Sequence, residues 1–406
     1  MSRKNSFIVT TFFAVATMAA LSGRSYARPD AGNQLCTLGS SGVGQPGAVI
    51  CKNVMTGATT QSVAVGATVA APGGIAGSLA RHANRVLVTN QAQGAALFQV
   101  VGGQLKSPIT LQTGGEGSLS GTLSDQGAYV LTGTRILFFR SGQMTATSSQ
   151  PLLKADGSAA QVTLAGGNAY VSEKSGSLEA FSLGGDGNIL GSAGPVAGVP
   201  AGVIVGITGF EDLVVAPVAH LASNANQSTI PVVSGLSVVQ IVPTKEVAAC
   251  WASNDDGEAC VTNPGSMTVS CGRLGPGGFM SYTSAAASLA GDTVFDIDML
   301  DNLVGILGMS NGAPVLLTYG RTNMGGGRCS YPRFSKLSMR CLLSADAGRT
   351  RSSLESTSTR GGPLLSQVGV FGSFCSLLGA TSCLARGPCW LPWLSVEKSI
   401  DYAALR

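Results

Sequence analysis

A strand-like segment recurring about every forty residues, a composition rich in strand and turn formers, and turn signals between alternating segments predict an all-β chain built as a β-propeller. The recurring unit is an apolar run that ends near Thr, Asn, Glu or a Gly turn. It reads VICKN at 49–53, VLVTN at 86–90, AYVLTG at 128–133, AYVSE at 169–173, LVVAP at 213–217, ACVTN at 259–263 and NLVGI at 302–306. With Cys51, Val88, Val130, Val171, Val215, Val261 and Val304 taken as equivalent, the steps are 37, 42, 41, 44, 46 and 43 residues. A period of roughly 40–50 residues with several strands per unit is that of a propeller blade. Seven blades fit before Gly320 if the Cys51 unit is counted, and six if it is not.

Composition supports the same class. Charged residues make up 11% of the chain and glycine accounts for 56 of 406 residues, a balance that suits short strands and many turns rather than helices. About 380 residues follow the leader described below, more than the roughly 250–300 that one hydrophobic core supports. A propeller avoids that ceiling because each blade packs only on its neighbours.

The first 27 residues read as a signal peptide. Arg3 and Lys4 supply a basic start, residues 7–21 are an apolar run of 15, and Ser25-Tyr26-Ala27 is a cleavage site. That run is shorter than the roughly 20 residues of a membrane span, so the mature chain is expected to be secreted, with no span after cleavage. Residues 28–320 form the propeller and carry 11 basic and 17 acidic side chains, a net −6. That balance offers no basic face to nucleic acid. Residues 321–406 invert it with 11 basic and 4 acidic, a net +7, and read as an irregular Cys/Ser/Arg-rich tail without strand or helix period.

Ten cysteines divide evenly between the two regions, which suits pairing in an oxidising compartment. Cys36 with Cys51, and Cys250 with Cys260 across the Asp255-Asp256-Gly257 turn, are the expected disulfides. No CxxC occurs and only His82 and His220 are present, so no metal site and no cofactor are assigned.

The turns divide the blades. Asp255-Asp256-Gly257-Glu258 and 184–188 (GGDGN) separate alternating segments, and Asn311-Gly312 is a two-residue hairpin signal. The clearest blade runs NAYVSEK at 168–174, a turn at Ser175-Gly176, then SLEAFSL at 177–183 with Leu178 and Ala180 apolar. The connection 220–228 is longer and reads as either a binding loop or a plain surface loop. Within it Asn226-Gln227-Ser228 is a glycosylation sequon.

The segments RVLVTNQAQGAALFQVVGGQLKSPITLQTGG, SAAQVTLAGGNAYVSEKSGSLEAFSLGGDGNILGSAGP and VPTKEVAACWASNDDGEACVTNPGSMTVS resemble secreted lactonase-type propellers. They are similar to 6-phosphogluconolactonases and carboxymuconate-lactonising enzymes over about residues 45–320. The resemblance implies an extracellular seven-bladed propeller with lactone chemistry as its inherited activity. Such chemistry needs a base and cationic donors; the resemblance points to residues on one face around the central channel, and this chain is poor in His and Arg. His220, near Pro217 where an acidic residue is expected from the resemblance, is a candidate base or a loop histidine. Glu173, beside Lys174 at a strand end, either faces the channel or forms a surface pair. His82 and Arg85 read as solvated turn residues.

Three further motifs have plain readings. Gly308-Met309-Ser310-Asn311-Gly312 matches GxSxG, but the strand-like APVLLTYG that follows makes it a hairpin rather than a nucleophile elbow. Asp296, Asp298 and Asp301 lack the glycine and terminal glutamate of a calcium loop. The glycines around Glu116 lack the spacing of a nucleotide loop. The expected function is therefore binding of a small ligand, carbohydrate or protein partner through the loop face. The alternative is an extracellular lactonase-like enzyme.

Overall fold

Seven antiparallel sheets and no helix make up the described residues. The computed structural model describes 34–40, 44–53, 58–68, 78–220, 227–288, 292–300, 303–310, 313–320, 335–336 and 341–342. Residues 1–27, read from sequence as a signal peptide, and most of residues 321–406 lie outside them. The first sheet has three strands, β1 (Gln34–Ser40), β2 (Pro46–Asn53) and β3 (Thr59–Thr68). In the second, β4 (Leu79–His82), β5 (Arg85–Val88) and β6 (Ala95–Val101) are followed by β7 (Gln104–Leu105) and β8 (Ile109–Leu111), both paired with β6.

Four sheets of four strands follow. The third contains β9 (Ser118–Leu123), β10 (Gly127–Thr132), β11 (Arg135–Arg140) and β12 (Ser148–Pro151). The fourth contains β13 (Ala159–Ala165), β14 (Asn168–Glu173), β15 (Ser177–Leu183) and β16 (Ile189–Pro195). The fifth contains β17 (Thr208–Phe210), β18 (Leu213–Val215), β19 (Thr229–Ser234) and β20 (Ser237–Pro243). The sixth contains β21 (Trp251–Asp255), β22 (Glu258–Asn263), β23 (Thr268–Gly275) and β24 (Gly278–Ser288). The seventh contains β25 (Asp292–Leu300), β26 (Leu303–Ser310) and β27 (Ala313–Gly320). Two short pieces of the tail, β28 (Ser335–Lys336) and β29 (Cys341–Leu342), pair with the outer side of β27.

Each residue taken as equivalent in the repeat lies on the second strand of its own sheet. Cys51 is on β2, Val88 on β5, Val130 on β10, Val171 on β14, Val215 on β18, Val261 on β22 and Val304 on β26. None is more than 1% exposed. Unlike β2, which alternates between buried and half-buried residues, the second strands β10, β14, β18 and β22 are buried at consecutive positions and so on both faces, β10 throughout. That is why they read as continuous apolar runs rather than as clean alternation.

One hydrophobic cluster fills each space between consecutive sheets. Val49, Cys51 and Val65 of the first sheet meet Val88, Ala96 and Phe98 of the second. Leu87 and Leu97 meet Val130 and Phe139. Tyr129 and Phe138 meet Val162, Val171 and Phe181. Tyr170 and Leu178 meet Val214 and Val233, Val215 and Ile230 meet Val261 and Phe279, and Trp251 and Cys271 meet Val294 and Ile306. The first strands pack on one another in succession, β4 on β9, then β13, β17, β21 and β25, while outer strands meet in fewer places, β12 with β16 and β20 with β24. The result is a propeller-like repeated-sheet fold, with first strands innermost.

Hydrogen bonds stitch the inner strands across these interfaces. The Val162 N–H donates to Ser120 Oγ at 3.3 Å, and the Ile207 N–H to Gln161 Oε1 at 2.7 Å. Ser172 Oγ donates to Val205 O at 2.8 Å, and the Gly206 N–H to Cys250 O at 2.8 Å. Each such bond contributes roughly 0.5–1.5 kcal/mol net. They fix how far each sheet slides on the next, which apolar packing alone leaves loose.

Candidate functional site

The ends of the second strands, the turns that follow them and the connections into the next sheet all fall on one face. At the third sheet, Arg135 Nε donates to Glu116 Oε1 at 2.7 Å and Thr134 Oγ1 to Glu116 Oε2 at 2.8 Å. Desolvation works against the Glu116 carboxylate, but hydrogen bonds from Thr132, Thr134 and Arg135 outweigh it and lower its pKa. At the fifth, Ser228 Oγ accepts the His220 and Ala249 N–H groups at 3.2 and 3.3 Å. At the sixth, Asn263 Nδ2 donates to Ser270 Oγ at 2.8 Å and Thr268 Oγ1 at 3.0 Å. Each of these groups holds its own loop.

The fourth sheet differs. In the β14–β15 hairpin Glu173 lies opposite Ser177 and Val171 opposite Glu179, so Glu173 and Glu179 are diagonal neighbours on one face. Both are buried, Glu173 at 0% and Glu179 at 1% exposure. Glu179 accepts the Leu153 and Lys154 N–H groups, each at 2.9 Å. Glu173 Oε2 accepts Ser158 Oγ–H at 2.7 Å, whereas Oε1 has no hydrogen-bond donor among the described residues. Burial and the neighbouring Glu179 push the Glu173 carboxyl up to about 7, against the Ser158 hydrogen bond.

Glu173 is enclosed rather than exposed on the surface. It ends a second strand, enclosed against the connection from the third sheet, and Lys174 makes no surface pair with it that the structure records. His220, half-buried, stands in the fifth sheet's loop, and the two are not brought together. The backbone of Gly202 runs between them: a Cβ on Gly176 would collide with Gly202 O, and a Cβ on Gly202 would collide with Val218 and come within 3.6 Å of His220 Nε2. Both glycines have positive φ, 89° and 151°. Asn226 lies outside the described residues.

The cysteines require a correction. Cys36 and Cys51 form a disulfide, as direct cross-strand partners of β1 and β2. Cys250 is not bonded to Cys260: Cys260 pairs with Cys271, its direct partner on β23, and Cys250 is a buried free thiol. The two-residue turn at Asp256-Gly257 sets Ser253 opposite Cys260, which leaves Cys250 beyond reach along the strand. Burial pushes the Cys250 thiol up to about 12, so it is no nucleophile at neutral pH. Glu258 lies close to the sulfurs of Cys260 and Cys271, but the disulfide leaves no thiolate to ligate a metal.

His82 and Arg85 flank the turn between β4 and β5 and reach the third sheet. His82 Nε2 is 2.7 Å from Asp125 Oδ1, and Arg85 Nη1 donates to Ser141 Oγ at 2.7 Å. Ser310 ends β26 and β27 follows, so the GxSxG segment joins two strands. Around the axis, Ser253 Oγ donates to Asp298 Oδ1 at 3.3 Å. Asp298 is exposed and Asp296 half-buried, yet protein crowds both from the sides. That crowding raises both carboxyls, Asp296 to about 7. Asp255 raises Asp298 further, while Arg81 on β4 lies close enough to lower it. Sequence reading passed over Glu179 and Arg81, although hairpin register alone places Glu179 beside Glu173.

No protein-family model matches the chain, and no curated protein does. Among solved structures, a crystal structure of the computationally designed Ika8 protein is similar at TM-score 0.47 and 13% identity, over 71% of this chain and 84% of that one. A likeness of that strength carries no argument about fold or activity.

Proposed function

We propose that this chain is a secreted seven-bladed propeller that binds a small ligand, carbohydrate or protein partner on the face where the second strands end. Inherited lactone catalysis is weak or lost. One observation carries this reading: the polar side chains of that face are engaged in holding their own loops. Glu116 is taken by Arg135, Glu179 by two backbone N–H groups and Asn263 by Thr268 and Ser270. A rim whose polar groups are occupied by its own loops suits recognition, whereas acid–base catalysis needs a base within reach of substrate. The leader 1–27 and two disulfides support secretion.

A lactonase-like activity is the second reading, favoured by the Glu173 carboxyl, raised to about 7 as a general acid–base requires. A panel of lactones assayed with wild type, Glu173→Gln and His220→Ala, beside a glycan-binding screen, separates the two. We expect binding without turnover. Turnover by the wild type on any lactone would overturn the binding reading, and its loss in either variant would assign the residue.

A further inference from the structure

The fourth sheet holds a pair of carboxylates that the binding reading does not use. Glu173 and Glu179 sit side by side in a closed space, one at each strand of the β14–β15 hairpin. Two buried carboxylates cannot both be ionised without a neutralising group between them. Glu179 is fixed as the acceptor, because both its oxygens receive backbone N–H groups from Leu153 and Lys154. Glu173 receives the Ser158 hydroxyl at 2.7 Å and the Ser175 hydroxyl at 3.5 Å, both on Oε2, and no donor on Oε1. The remaining partner for a carboxyl proton on Glu173 is Glu179.

We propose that Glu173 and Glu179 share one proton that latches the connection 152–158 onto the fourth sheet, a pH-dependent lock on one sector of the loop face. The connection is tied to the pair at three points: the Leu153 and Lys154 amides to Glu179, and Ser158 to Glu173. Ser175 Oγ, in the turn beyond β14, lies 3.2 Å from Ser158 Oγ and 3.3 Å from Lys154 Nζ and covers the pair from the other side. Other charged groups around the pair act in the same direction or not at all. Asp156, on the connection, adds negative potential and favours the protonated form. Lys154 directs its ammonium to Ser175 rather than to either carboxyl. The neighbouring connection 196–207, which abuts Gly176, carries no charged residue. Arg135 at the third sheet is engaged by Glu116.

The sign follows from which state holds the proton more tightly. With the latch closed, Glu173 keeps its proton up to about pH 7; with it open, the carboxyl regains the ordinary glutamate range. Closure is therefore complete in acid and weakens by up to about tenfold per pH unit as pH rises between the two values, levelling off above. The effect spans about two orders of magnitude in the opening equilibrium.

Amide hydrogen exchange of Leu153 and Lys154, corrected for the intrinsic pH dependence, tests the lock at pH 5 and pH 8. The wild type should lose about a hundredfold in protection between them. In Glu173→Gln the amide N–H₂ replaces the shared proton, and protection should not change with pH. Equal wild-type protection at both pH values, or the same loss in Glu173→Gln, would overturn the proposal. If that variant does not fold, the ¹³C titration of the Glu173 carboxyl in the wild type decides: a midpoint in the ordinary carboxylate range would overturn it, and one near 7 would support it. Restoration of protection at pH 8 by added Ca²⁺ would mean that the pair holds a cation rather than a proton, and would also overturn it. The test is independent of what the loop face binds.

Discussion

The middle sheets and the end sheets are held by different means. In the third to sixth sheets, apolar clusters cover both faces and hydrogen bonds accepted by Ser120 and Gln161 and donated by Ser172 tie one sheet to the next. The first sheet has three strands, one described apolar interface, through Val49, Cys51 and Val65, and a disulfide across β1 and β2. The seventh takes two short pieces of the tail as outer partners of β27. Repetition supplies the packing of an inner sheet from both sides, so its own sequence can be plain. An end sheet adds fastening of its own, although a disulfide is not confined to the ends, since Cys260 and Cys271 join β22 and β23 of the sixth sheet.

The largest effect should come from emptying an inner interface. Phe181→Ala, between the third and fourth sheets, should cost about 3–5 kcal/mol, against roughly 1–2 kcal/mol for Val65→Ala in the first sheet. Denaturant unfolding of both variants measures the difference, and equal losses would break the comparison. Disulfides come next. Replacing Cys260 and Cys271 together by Ala, or Cys36 and Cys51 together, opens loops of 11 and 15 residues, each worth about 3 kcal/mol in chain entropy. The inner pair is wholly buried while Cys36 is exposed, so the inner double variant should have the lower Tm. The reverse order would show that the first sheet's reliance on its own fastening outweighs burial of the bond. The smallest effect belongs to the stitching: Gln161→Ala strands the Ile207 N–H and should cost about 1–3 kcal/mol. A loss within experimental error would make these bonds incidental to sheet spacing.

Much of the architecture was legible because the repeat is written in the second strands. Val130, Val171, Val215 and Val261 are buried on strands enclosed from both faces, so each leaves an apolar run regardless of what its loops do. Turn signals were legible for local reasons: Asp256 and Gly257 have φ of 48° and 74°, the conformation that Asp-Gly favours in a tight hairpin. The disulfide of Cys260 was misassigned because nearness to a turn was weighed above register. The polar pairs of the loop face were hidden for a different reason. Ser172 meets Val205 across a gap that depends on how sheets stack, and Glu116 meets Arg135 only once the connection into the third sheet is folded back on it. The Glu173–Glu179 pair is the exception, since both lie within one hairpin.

The central claim is that the row of seven sheets closes into a ring, and the spacing of equivalent turns tests it most directly. Spin labels at Gln45, between β1 and β2, and at Asp301, between β25 and β26 in sequence, report the gap between the two ends of the row. Labels at Asp212 and Asp256, between the first and second strands of the adjacent fifth and sixth sheets, give the reference distance. A closed seven-bladed propeller predicts that the two distances agree. A Gln45–Asp301 distance as long as that between Asp125 and Asp256, three sheets apart, would contradict closure and leave an open arc.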